Sequence, residues 1–348
     1  MKTFHTTIVF TRTPLHSQFR YKDIFQILPP FHLKDFPTSN MQRHYPVLLQ
    51  FWTDDEEKVY VPEVFEEIKD MISETTQILI KQDRILSLLS CFTTHLFFRY
   101  TDTDGSWGMP VLKDNAGEEA NTWSSKYILP FFHAPELPDQ LKINDFSQQM
   151  YPEMIFVDHF PYYQDNPNLD TDIKREITFP ETVYMDLESY YEKDEETRKI
   201  LDTAISYSVS AIELKQTKKT MSIVAAFTAV ETMVNFEFKD LKPEICKACG
   251  TPQYKVAKKY RDFLLKYLGN SAKNKKKFNA YYDLRSKIVH TGQRFKSENL
   301  FAEIPEEEQK KEYLDRIEIL ILSKFAIIQW LLKNRELEVE EAVAAKGI

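Results

Sequence analysis

Arg285 and His290, with four residues between them, lie in the stretch Tyr282-Asp283-Leu284-Arg285-Ser286-Lys287-Ile288-Val289-His290-Thr291-Gly292. Side chains of these two types can cut RNA without a metal. A neutral imidazole takes the proton from a ribose 2′-hydroxyl. A guanidinium holds two phosphate oxygens as charge builds in the transition state. The RNA supplies its own nucleophile. The spacing adds a constraint. Five residues along a helix turn it by about 500°, which leaves the two side chains about 140° apart. Either His290 sits at a frayed helix end and turns inward, or two copies of the helix meet and pool their side chains. The second option predicts a dimer. The plainer reading is a terminal His facing the negative end of the helix dipole, with Arg285 in a surface ion pair.

A second group lies on the helix read over residues 218–238. Its centre, Ile223 to Phe236, is apolar nearly all round and is expected to be buried. Thr228, Glu231 and Asn235 fall at i, i+3 and i+7, on one face of that helix. A carboxylate there needs a cation if it is buried. Arg285 is the expected partner, unless the stripe faces water.

The surroundings of the pair are basic. Between Gln253 and Ser297, 13 Lys and Arg stand against two acids, Asp262 and Asp283. The local charge is +11 in a chain of −8, which leaves −19 for the remainder. Such asymmetry suits a phosphate-bearing partner. Lys258, Lys259, Arg261, Lys275, Lys276, Lys277 and Lys287 are the candidate RNA contacts. Tyr254, Tyr260, Tyr281 and Tyr282 either stack on bases or pack the helices together.

Cys246 and Cys249 form a C-x2-C knuckle, a spacing that grips one face of a tetrahedral zinc. A structural zinc would need two more ligands; Cys91 is a candidate third, and the same knuckle of a second subunit is another source. With three cysteines in all, no disulfide framework is expected and a reducing, cytoplasmic setting is. The start lacks the apolar core of a signal peptide. Neither of the longest apolar stretches, Ile223–Val230 and Ile317–Leu332, suits a membrane span. No Gly-rich phosphate loop, H-E-x-x-H or G-x-S-x-G pattern is present.

The elements that must position these residues follow from periodicity. At 348 residues two domains are expected, and 43 % hydrophobic content supports packed ones. Thr7–Arg12 and Val47–Trp52 read as strands, and residues 62–98 as a long amphipathic helix. Short strands are also expected at Ile155–Val157 and Val183–Met185. Five helices then follow, over about 195–215, 218–238, 253–268, 276–291 and from Pro305 onward. The resulting expectation is an α+β chain. A mixed α/β part of unknown role spans 1–185, a helical bundle spans 186–335, and residues 336–348 form a tail.

Ala229-Val230-Glu231, Tyr260-Arg261-Asp262-Phe263 and Tyr282-Asp283-Leu284-Arg285-Ser286-Lys287-Ile288-Val289-His290, in this order on successive helices, resemble the ApeA-like branch of the HEPN superfamily. The resemblance covers about residues 190–335. It implies a homodimer with a ribonuclease centre at its interface and a place in prokaryotic antiviral defence or toxin-like RNA cleavage. Arg285 and His290 would be catalytic, with no cofactor required. Glu231 would match the acidic position of the core helix, and Asn235, Asp283 and Ser286 would be supporting residues. Active members often carry Asn, Asp or His after the Arg, where this chain has Ser286. Other members keep only the bundle, as a scaffold for dimerisation or RNA binding.

Overall fold

The computed structural model describes residues 2–29, 45–54, 69–99, 106–110, 123–128, 144–148, 151–165, 176–242, 244–245, 252–253, 255–299, 301 and 303–345. The chain is α+β, with a small antiparallel sheet in its N-terminal part and a helical C-terminal part. It divides into two compact units, Met1–Tyr162 with Asp170–Glu181, and Tyr163–Leu169 with Thr182–Ile348.

The first unit is built on strands β1 (Lys2–Thr11), β2 (Phe19–Tyr21), β3 (Phe25–Leu28) and β4 (Tyr45–Asp54), helix α1 (Lys69–Phe92) and strand β5 (Phe97–Phe98). The sheet order is β2-β3-β4-β1-β5. β1 and β4 are longer than the expected runs because every residue from Lys2↔Asp54 to Thr11↔Tyr45 finds a partner. Val47 to Phe51 are buried without alternation, the mark of a strand covered on both faces. On one face α1 packs, and Gln82 Nε2 donates to Thr7 Oγ1 at 3.1 Å. On the other, Phe146 stacks edge-on against Phe4 at 5.6 Å. Beside it Gln50 donates to Ser147 Oγ at 2.8 Å and accepts from its N–H at 3.0 Å.

Helix α1 stops at Phe92, short of the expected Phe98. The Leu89 carbonyl accepts from both the N–H and the hydroxyl of Thr93, at 3.1 and 2.7 Å, while the Thr94 N–H leaves the helical ladder and donates to the buried Tyr162 hydroxyl at 2.9 Å. The expected start at Pro62 lies outside the described residues. The unit also holds a hairpin, β6 (Ser106–Pro110) with β7 (Trp123–Ile128), and β8 (Phe156–Val157). Helix α2 (His159–Asp165), which passes from the first unit to the second at Tyr163, and β9 (Phe179–Pro180), parallel to β8, follow.

The second unit is helical: α3 (Val183–Tyr191), α4 (Glu195–Leu214), α5 (Lys219–Glu237), a small hairpin of β10 (Glu244–Ile245) and β11 (Pro252–Gln253), then α6 (Val256–Leu268), α7 (Ala272–Thr291) and α8 (Glu306–Ala345). α5 packs against α4, α6, α7 and α8, which explains its nearly all-apolar surface. α6 begins three residues later than expected, since Pro252–Gln253 pair in the hairpin and Lys255 takes a left-handed φ of 45°. α8 runs on to Ala345, through most of the stretch expected to be a tail.

Val183–Met185, expected as a strand, opens α3 instead. Val183, Asp186, Leu187 and Tyr190 are buried at helical spacing, and α3 packs on α8. Tertiary burial overrides the strand preference of Val-Tyr.

Asp186 has 0 % exposure. Its Oδ2 accepts from the Thr182 hydroxyl at 3.1 Å, and its Oδ1 has no partner among the described residues. Burial pushes its carboxyl up from the ordinary 3.8 to about 8, against the smaller opposing pull of Thr182. The folded chain therefore holds this proton at neutral pH, where the unfolded chain has released it. The associated stability is present below pH 3.8 and is lost as pH rises toward 8. Asp186→Asn is expected to raise the thermal midpoint at pH 8 and to change it little at pH 4. Melting curves at both pH values check this, and equal curves at pH 8 would refute it.

Candidate functional site

Helix α7 carries the Arg and His. It starts earlier than the expected Lys276, because Ser271 Oγ accepts the Asn274 N–H at 3.1 Å and caps it. It ends at Gly292, whose φ of 69° suits the left-handed cap and whose N–H reaches the Ile288 carbonyl at 3.1 Å. His290 thus lies within the last regular turn rather than beyond a frayed end. The angular separation of about 140° from Arg285 is retained.

Arg285 faces inward. Its Nη2 donates to Glu231 Oε2 at 2.8 Å, and its Nε lies 2.7 Å from Oε1, a close ionic contact without hydrogen-bond alignment. The two side chains are 20 % and 18 % exposed, so the pair is largely but not wholly shielded. Tyr282 lies beside the guanidinium, its ring centroid 5.9 Å from the Arg285 Cζ. The buried Tyr260 of α6 packs 5.2 Å from Tyr282 and 6.2 Å from Phe227 of α5. The site is therefore a junction of α5, α6 and α7 with an aromatic floor.

Electrostatics follow from this packing. Burial lowers the Arg285 pKa, and the Glu231 carboxylate more than reverses it, so the guanidinium is held above its usual range. Burial pushes the Tyr260 hydroxyl well up and Glu231 adds to it, so Tyr260 stays protonated. Tyr282 moves the same way for the same reasons.

His290 is exposed, as are Asp283, Lys287 and Asn235, while Ser286 is half-buried. Thr228 turns its hydroxyl to the Val224 carbonyl at 2.9 Å. Of the basic candidates, Lys258, Lys275, Lys276 and Lys287 are exposed and Lys259 is half-buried. Two others are engaged within the unit. Arg261 reaches Asn279 at 3.2 Å and Asp262 at 3.3 Å. Lys277 pairs with Glu318 of α8, which also accepts from Tyr281. Tyr260 and Tyr281 pack the bundle, and Tyr254 lies outside the described residues. Cys246 and Cys249 also lie outside them, and Cys91 is buried on α1.

Three anchors carried no local sequence signal. Glu318 ties α7 to α8. Glu237 accepts from Lys266, from Tyr267 at 3.0 Å and from Trp330 at 2.9 Å, joining α5, α6 and α8. Glu298 caps the start of α5 by accepting the Thr220 N–H at 2.9 Å. That contact fixes the segment after α7, and with it the helix end that bears His290.

No helix among the described residues is long and apolar enough to cross a membrane. The chain matches no protein-family model, no curated protein and no solved structure.

Proposed function

We propose that the helical unit is a HEPN-type RNA endonuclease that needs no metal and works as a cytoplasmic homodimer, in prokaryotic antiviral defence or toxin-like RNA cleavage. The observation that carries this reading is how Arg285 is held. Glu231 engages one side of the guanidinium, through Nε and Nη2. Nη1 has no acceptor among the described residues, so two of its N–H groups remain for phosphate oxygens. Glu231, Tyr282 and Tyr260 act as positioning residues that fix this edge before RNA arrives.

In the proposed reaction His290 takes the 2′-hydroxyl proton, and the 2′-oxygen attacks phosphorus. The 5′-oxygen leaves and takes a proton from water. The products carry a 2′,3′-cyclic phosphate and a 5′-hydroxyl. Lys258, Lys275, Lys276 and Lys287 steer the backbone. Because Arg285 and His290 point apart on one helix, a complete centre draws them from two copies.

The same observation supports a second reading, a dimerising or RNA-binding scaffold. In a single copy Arg285 is already paired and His290 stands away from it. One experiment separates the two. The purified chain is incubated with a mixed RNA pool in EDTA, and product ends are mapped. Cyclic phosphate ends that appear in EDTA support the nuclease. Cleavage that stops in EDTA, or persists in His290→Ala, rules it out. Binding without cleavage favours the scaffold.

A further inference from the structure

Tyr282 and Arg285 stand at i and i+3 on α7, so their side chains are neighbours on one face of the helix. The Tyr282 ring is half-buried, with its centroid 5.9 Å from the Arg285 Cζ and 5.2 Å from the ring of the buried Tyr260. These contacts occupy the ring and hold it in place. Its hydroxyl, by contrast, has no hydrogen-bond acceptor among the described residues. The nearby Glu231 carboxylate is engaged by Arg285 instead. The junction of α5, α6 and α7 therefore holds more donors than acceptors. The surplus is the two N–H groups of Arg285 Nη1 and the Tyr282 O–H.

We infer that the Tyr282 hydroxyl is a second substrate contact, donating to one non-bridging phosphate oxygen of the RNA while Arg285 Nη1 holds the other. The inference rests on the reading of Arg285 as a phosphate clamp, and it names the group that works beside it. A phenol suits this place for two reasons. It is neutral, so it adds a donor without setting a second cation against Arg285. It also keeps its proton, because burial raises its pKa, Glu231 raises it further, and Arg285 opposes both with a smaller effect. Tyr282 thus neither gives nor takes a proton in the reaction. Its hydrogen bond strengthens as negative charge builds on the oxygen, which favours the transition state over the bound substrate. With Tyr260 and the guanidinium both against the ring, donation by the hydroxyl fits the site better than stacking of a base.

Tyr282→Phe keeps the ring and removes the hydroxyl. Two measurements on the full chain in EDTA test the contact. The first is binding of a 2′-O-methyl RNA strand, which lacks the nucleophile and cannot be cut, followed by fluorescence anisotropy. Tyr282→Phe is expected to weaken it about 10-fold. The second is cleavage of RNA with sulfur in place of either non-bridging oxygen at the mapped scissile phosphate. Sulfur is a weak acceptor, so wild type should cut the isomer whose sulfur faces Tyr282 about 10–100-fold more slowly than the oxygen substrate. Tyr282→Phe should erase that sulfur effect and keep the one at the oxygen held by Arg285. A loss of ring packing would not single out one oxygen. Cleavage by wild type, with binding and both sulfur effects unchanged in Tyr282→Phe, overturns the inference and leaves the nuclease reading intact. A wild type that binds without cutting, and binds less tightly as Tyr282→Phe, supports the contact and removes the nuclease. A wild type that does not bind the strand overturns the inference.

Discussion

Replacing His290 by Ala is expected to lower RNA cleavage by about 10²–10⁴-fold and to leave the thermal midpoint where it was. The two halves of this expectation have different origins. Loss of activity follows from the proposed role, in which the imidazole accepts the proton of the 2′-hydroxyl. Unchanged stability follows from the site itself. His290 is exposed in the last turn of α7, and the helix end is secured by the Gly292 cap and not by the imidazole. The only structural term is a charge–dipole contribution of about 0.3–1 kcal/mol when the ring is protonated. A variant that loses activity without loss of melting temperature supports general-base chemistry. A variant that cleaves normally removes it, and one that melts much earlier would show that His290 is structural.

Arg285→Ala is expected to cost both activity and stability. Cleavage should fall about 10²–10³-fold, the usual effect of removing one charge-stabilising donor. Stability should fall by about 1–3 kcal/mol, because the largely shielded Glu231 carboxylate loses its partner. Arg285→Lys keeps the charge but not the planar fork. It should recover much of the stability and little of the cleavage. Glu231→Gln keeps the shape of the partner and removes its charge. Combined with Arg285→Ala, it should lose less stability than the two single changes added together, because each single change strands the other group. Chemical denaturation and cleavage rates on the four members of this cycle test the point. Additive stability losses would mean that the pair seen between α5 and α7 does not contribute in solution. Full cleavage by Arg285→Lys would mean that a point charge suffices and that the fork is irrelevant.

The helices α4 and α5 were legible in the sequence almost to their ends, because an amphipathic or all-apolar period runs the length of each. The two long strands were legible as cores, around Thr7–Arg12 and Val47–Trp52, but their full length depends on ten successive cross-strand pairs. α3 was not legible. Val183 to Met185 favours a strand on local preference, and only packing against α8 makes it helical. α7 starts before the expected Lys276, at the Ser271 cap, although the Ser-x-x-Asn spacing of that cap is local.

The candidate site divides along the same line. Residue type and spacing by themselves placed Arg285 and His290 on one basic helix, put their side chains about 140° apart by the helix period, and nominated Glu231 as the partner of Arg285. These are short-range consequences of chain chemistry and helix geometry. The fold alone decided that Arg285 turns inward to Glu231, 54 residues away, and that Tyr260 and Tyr282 form the floor beneath it. It also decided that Lys277 is tied to Glu318, 41 residues away, while Lys275 and Lys276 face outward. Partners so distant in sequence leave no period or spacing to read, because what joins them is the packing of α5, α6, α7 and α8 around one core.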